Sequence, residues 1–190
     1  MLTLVNNLLE QVTRFTRSAS RVIAWVLGAL LLATIAMITL EVFTRKLFGV
    51  SFRFVHEYSG YLLAVLTSWG LAHALFEKAH IRIDIGYQKS PDFLKRIMDM
   101  LAILTLTTMT LLITYYAYPV LARSLRNGSL SNTVMSTPMW IPHAIWISGY
   151  VWFSFVTLLL TIRAFFAIFV NDKAAFERYF CPESAEEIEY

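Results

Sequence analysis

Residues 57–84 read EYSGYLLAVLTSWGLAHALFEKAHIRID, and the fold follows from how this stretch divides. Glu57 opens it, nineteen uncharged residues run from Tyr58 to Phe76, and Glu77, Lys78, His80, Arg82 and Asp84 close it. As a helix, nineteen residues rise ~28 Å, about the thickness of a bilayer's hydrocarbon core. Gly60, Ala64, Ser68 and Ala72 fall four apart, so one face carries only small side chains. In lipid no hydrophobic force draws helices together, and a small-residue stripe is what allows close approach. The helix is built to be packed against.

The rest of the chain repeats this pattern. Of its 190 residues 57% are apolar and 15% charged, and the mean hydropathy is +0.59. Long charge-free windows occur at Val22–Leu40, Tyr58–Phe76, Met100–Ala122 and Asn127–Ile162. The last exceeds one span, and Pro138 and Pro142 divide its polar start from its apolar continuation. The pattern predicts an all-α integral membrane protein with four transmembrane helices. An amphipathic interfacial helix is expected over 1–20, the transmembrane domain over 21–170 and an acidic cytoplasmic tail over 171–190. Leu4, Val5, Leu8, Leu9, Val12, Phe15 and Ala19 recur at helical spacing in the first segment; the alternative is that it extends span one. Twenty polar and amphipathic residues before the first apolar run argue against a cleaved signal peptide.

Loop charge sets the expected orientation. With both termini cytoplasmic, eleven Lys and Arg fall inside and five outside, the latter being Arg45, Lys46, Arg53, Arg123 and Arg126. The positive-inside rule favours that arrangement. The net charge of +3, spread over loops, points to membrane lipids and not to nucleic acid. Cys181 is alone, which excludes an internal disulfide and a cysteine-based metal cluster.

Span one, about Val22 to Leu40, carries a second small-residue surface in Gly28, Ala29, Ala33 and Ala36, with Trp25 as an interface anchor. Glu41 and Arg45 lie four apart and can pair on one face. Gly49 serves a turn before span two. Ser90-Pro91-Asp92 reads as a helix start, and span three runs from about Asp99 to Tyr118, where Pro119 weakens its end. Its threonines, Thr105, Thr107, Thr108, Thr110 and Thr114, can bond back to carbonyls one turn earlier. Thr137-Pro138 offers another cap, span four runs from about Pro142 to Ile162, and Arg163 is placed to reach headgroups. The tail from Asn171 holds two positive and six negative side chains.

Little chemistry is present. There is no glycine-rich phosphate loop, no carboxylate pair within a span and no metal-ligand spacing. Ion-coupled transporters place ionisable groups or broken helices at midplane depth, and the window centres here hold only aliphatic, aromatic and hydroxyl residues. The four histidines pair by depth, His56 with His143 outside and His73 with His80 inside. Haem between facing histidines would make this the membrane anchor of a quinone-linked oxidoreductase, the alternative to a scaffold for another membrane protein. Both pairs sit at span ends, and His73 and His80 share one stretch where facing helices are required.

The ordered set Glu41-Val-Phe-Thr-Arg45, Glu57, Trp69, His80-Ile-Arg82-Ile-Asp84 and Ser136-Thr-Pro138-Met-Trp140-Ile-Pro142 resembles the small membrane subunit of tripartite ATP-independent periplasmic (TRAP) transporters, the DctQ-like family. The resemblance covers about Leu8 to Phe169. It implies a bacterial inner-membrane, multi-pass protein that is no enzyme and binds no cofactor. It also implies two partners: a large multi-span subunit that binds sodium and moves as an elevator, and a periplasmic binding protein that delivers organic acids. On that reading Gly60, Ala64, Ser68, Ala72, Gly28, Ala29, Ala33 and Ala36 are expected against the large subunit, and Arg53, His56, Glu57 and Arg126 against the binding protein. One departure stands out: His56 occupies a position where the family often has a second acid beside Glu57.

Overall fold

The computed structural model describes residues 2–77, 91–133 and 135–169. Four helices follow one another: α1 Leu2–Phe48, α2 Phe54–Phe76, α3 Asp92–Asn127 and α4 Trp140–Phe169. All four are long and apolar enough to cross a membrane. They pack in the order α1, α2, α4, α3, with α4 touching each of the others.

α1 is one unbroken helix of 47 residues, ~70 Å long and more than twice the hydrocarbon thickness. No separate interfacial helix precedes the first span. The physical reason is local: no proline interrupts residues 2–48, and the first glycine is Gly28. The apolar face expected over the first twenty residues is outward, with Leu8, Val12 and Phe15 exposed, while Thr13, Thr16 and Ser20 are buried. Thr13 and Thr16 satisfy their hydroxyls on the carbonyls of Leu9 and Val12 at 2.7 and 2.9 Å, as threonine in lipid can. Trp152 Nε1 of α4 donates to Ser20 Oγ at 3.3 Å.

The turn after α1 is the expected one. Gly49 adopts φ +70°, a left-handed conformation that costs a glycine little, and its N–H returns to Arg45 O at 3.1 Å. α3 runs nine residues beyond Tyr118, straight through Pro119. Proline removes one backbone bond there, yet in a membrane bundle a following turn can persist when the freed groups are met locally. The helix stops at Gly128, φ +56°. Its N–H bonds Leu125 O, and the next N–H, Ser129, bonds Ser124 O at 3.1 Å, the paired closure of a Schellman motif. α4 begins two residues before Pro142, which falls in the first turn where its missing N–H costs nothing. It continues past Ile162, so Arg163 is buried at 7% exposure instead of reaching out from a helix end.

Two contrasting contacts fix α4. Against α3 it forms a ladder of hydroxyls: Thr107 with Thr161 at 2.8 Å, Thr110 with Thr157 at 3.1 Å and Thr114 with Ser154 at 2.9 Å. Steps of three and four up α3 match steps of four and three down α4, the register of an antiparallel pair. Ser124 Oγ with His143 Nδ1 at 2.8 Å continues it. Each such bond in a membrane bundle contributes about 0.6 kcal/mol, because the separated helices also find partners. Against α2 the contact is steric. A Cβ added to Gly149 would lie 2.6 Å from Trp69 Cδ1 and 2.8 Å from Ser68 Cβ. Only a residue without a side chain lets α2 come this close. The apolar core continues from there through Ala72, Phe76, Ile103, Phe153, Val156 and Leu160.

Candidate functional site

The small-residue stripe of α2 divides between two environments. Ser68 and Ala72 are fully buried at 0% exposure, with Ser68 against the bare backbone of Gly149. Gly60 is exposed and Ala64 half-buried. Trp69 fixes the same contact, its indole N–H donating to Ile145 O of α4 at 3.0 Å. The C-terminal half of the stripe, Ser68 and Ala72, is thus spent within the chain, with Ser68 held against α4. The stripe of α1 is different. Gly28, Ala29, Ala33 and Ala36 are all exposed, and so are Leu30, Leu31, Leu32 and Ile35 around them. Only 6% of the apolar window of α1 is buried, against 50% of that of α4.

The polar end that carries Arg53 and Glu57 is organised by two carboxylates. Glu41, late in α1, is wholly buried. Ser51 Oγ donates to its Oε1 at 3.0 Å, and Arg45 Nε stands 3.7 Å from the same oxygen. Its Oε2 is buried with no hydrogen-bond partner. Here the i, i+4 pair allowed by spacing is joined by a loop hydroxyl that spacing does not reveal. Burying a carboxylate is costly unless it is paired and hydrogen-bonded, so Arg45 and Ser51 together fix how the chain leaves α1.

Glu57, in the first turn of α2, ties that helix to the segment between α3 and α4. Tyr61 Oη donates to Oε1 at 2.7 Å, and Thr133 Oγ1 donates to Oε2. Thr133 in turn meets Ser131 Oγ at 3.0 Å. The segment holds its own shape through Ser131 N–H to Thr137 O and Met139 N–H to Ser129 O, both 2.9 Å, around an antiparallel bridge of Leu130 with Pro138. An aromatic chain of Phe52, Phe54, Tyr58 and Tyr61, with centroids 5.9 to 6.5 Å apart, lies alongside. Arg53, His56 and Arg126 are exposed and Glu57 half-buried at this end. Trp140 is exposed, and Pro142 half-buried, at the start of α4. His80, Arg82 and Asp84, with Lys89, Cys181 and the acidic tail, lie outside the described residues.

Among the described residues no group of three or more His, Cys, Asp or Glu side chains could hold a metal ion. His143 Nδ1 is engaged by Ser124. Glycine-mediated packing, a buried carboxylate at the end of α1 and a hydroxyl ladder hold the described helices together, and residues 34–167 match the family described as tripartite ATP-independent periplasmic transporters, DctQ component. The chain belongs to the DctQ family. No curated protein and no solved structure matches it significantly. As a DctQ subunit it is a multi-pass protein of the bacterial inner membrane and an accessory of transport, not an enzyme. The match covers α2, α3, all but the last two residues of α4 and the C-terminal part of α1, and begins beyond Gly28, Ala29 and Ala33.

Sequence reading missed five of the residues that hold this site. Gly149 gives no local signal, since its importance lies in what faces it. Ser154, Thr157 and Thr161 sit in an apolar window where hydroxyls pass for filler; a period of three to four shared with α3 was the available clue. Thr133, seventy-six residues from Glu57, is findable only through the fold.

Proposed function

We propose that this DctQ subunit is the stationary scaffold of a sodium-coupled, binding-protein-dependent transporter for an organic acid. It holds the large elevator subunit in the bilayer through the uncovered face of α1 and offers its Arg53, His56 and Arg126 end to the periplasmic binding protein. The supporting observation is the open face of α1: only 6% of its apolar window is buried, and Gly28, Ala29, Ala33 and Ala36 are exposed on its surface. A partner that moves needs a support that does not, and α2, α3 and α4 form one through Gly149, Trp69 and the hydroxyl ladder. Both termini cytoplasmic remains the orientation that loop charge favours. Gly60 and Ala64 extend the contact surface on α2; Ser68 and Ala72 act from inside.

Glu57 takes a different part. Its two oxygens are engaged by Tyr61 and Thr133, so it shapes the docking end while Arg53 and Arg126 supply the charge that steers an encounter. The test is reconstitution in liposomes. The large subunit with its binding protein should take up substrate on a sodium gradient only when this chain is present. Uptake at the same rate without it would contradict the scaffold role.

A further inference from the structure

At the end of the bundle where Arg17 pairs with Glu77 at 3.6 Å, α1 and α2 enclose an open cleft of about 570 Å³. Arg21, Ala24 and Trp25 line it from α1, His73 and Glu77 from α2. The scaffold role uses none of them.

The lining favours an anion. Arg21 makes no hydrogen bond or ion pair with another described residue, so its five donors remain available in a planar fork that fits a phosphate. Glu77 is already engaged by Arg17, so the two arginines outweigh it by one charge. His73 Nδ1 is buried with no hydrogen-bond partner. A proton there would be an orphaned donor, which favours the tautomer carrying it on Nε2 and makes that nitrogen the ring's donor. The depth favours a lipid. Trp25, one turn beyond Arg21 on the same helical face, is 78% exposed. It stands at the start of the uncharged window Val22–Leu40, where indoles settle at headgroup level. The guanidinium is therefore held where phosphodiesters lie, with Ala24 leaving room beside it.

We propose that the Arg21–Trp25–His73 cleft between α1 and α2 binds the phosphodiester of an anionic phospholipid. Arg21 takes two phosphate oxygens, His73 Nε2–H donates to the headgroup, and the Trp25 ring covers the glycerol region. The proposal rests on the chain crossing a membrane and not on what the complex transports.

Native mass spectrometry of the full chain in neutral detergent tests it, with dioleoyl phosphatidylglycerol, dioleoyl phosphatidylcholine and inorganic phosphate as separate probes. Phosphatidylglycerol should be retained in preference to the other two. Arg21→Gln should weaken it about tenfold, the scale of one lost charge-assisted contact. Arg21→Lys should restore part of that, and His73→Leu should lower retention more than His73→Gln. Arg14→Gln, at an exposed arginine paired with Glu10, should leave retention unchanged. Equal loss in the Arg14 and Arg21 variants, equal retention of the two lipids, or binding of inorganic phosphate as tight as that of lipid would each overturn the proposal. Circular dichroism of each variant, matched to the parent, keeps the comparison between folded proteins.

Discussion

α1 and α4 are both apolar enough to cross a membrane and meet opposite fates. α4 packs on each of the other helices and has half of its apolar window buried, whereas only 6% of the apolar window of α1 is buried. Both contain glycine and small residues in helical register. Small residues on a membrane helix therefore mark a surface for close packing without saying whose surface it meets. What separates the two cases is the facing helix. Gly149 receives Ser68 and Trp69 from α2, while nothing within 4 Å faces the position a Cβ would take at Gly28.

Substitutions can break or sharpen that contrast. The largest effect on the isolated chain is expected from Gly149→Leu. Ser68 Oγ can rotate away, but Ser68 Cβ and the Trp69 ring cannot without parting the helices. Overpacking of this kind costs about 1–3 kcal/mol, to be read as a lowered unfolding midpoint in detergent. Gly28→Leu, the matching change on α1, should leave that midpoint within error. Next comes Trp69→Phe, which removes the donor to Ile145 O and should cost about 1 kcal/mol. Thr110→Val should cost less, about 0.6 kcal/mol, and a double-mutant cycle with Thr157→Val would show whether the loss belongs to the pair. The smallest is Arg17→Gln. Its ion pair with Glu77 is long and nearly half exposed on both sides, and exposed pairs contribute between about 0 and 1 kcal/mol before screening.

Much of this contrast was legible in the residues themselves. Four uncharged windows became four spanning helices, Gly49 took the turn, and Glu41 met Arg45. Boundaries fared worse where a local rule was outweighed by neighbours. Pro119 reads as an end, but α3 continues to Asn127 because the bundle supports the turns on either side. The amphipathic pattern of the first twenty residues is real, yet it sits on the same helix as span one, and the buried face holds Thr13, Thr16 and Ser20. The sequence allows the threonines of α3 to bond to their own helix. Thr108, Thr110 and Thr114 do so, and Thr110 and Thr114 also reach α4. A hydroxyl has both a donor and acceptor sites, so satisfying one does not exclude the other. Glu57 presented an ordinary acid at a helix start, and its link to Thr133 depends on a loop position that no pattern near residue 57 encodes.

The scaffold reading depends most on α1 being an outward contact surface while α4 is an inward one. Copurification of the large subunit with the double variant Ala29→Leu/Ala33→Leu, beside the unfolding midpoint of the same variant alone, measures both halves at once. The account predicts an unchanged midpoint and loss of most of the large subunit from the eluate. Full recovery of the large subunit with those two leucines in place would contradict it.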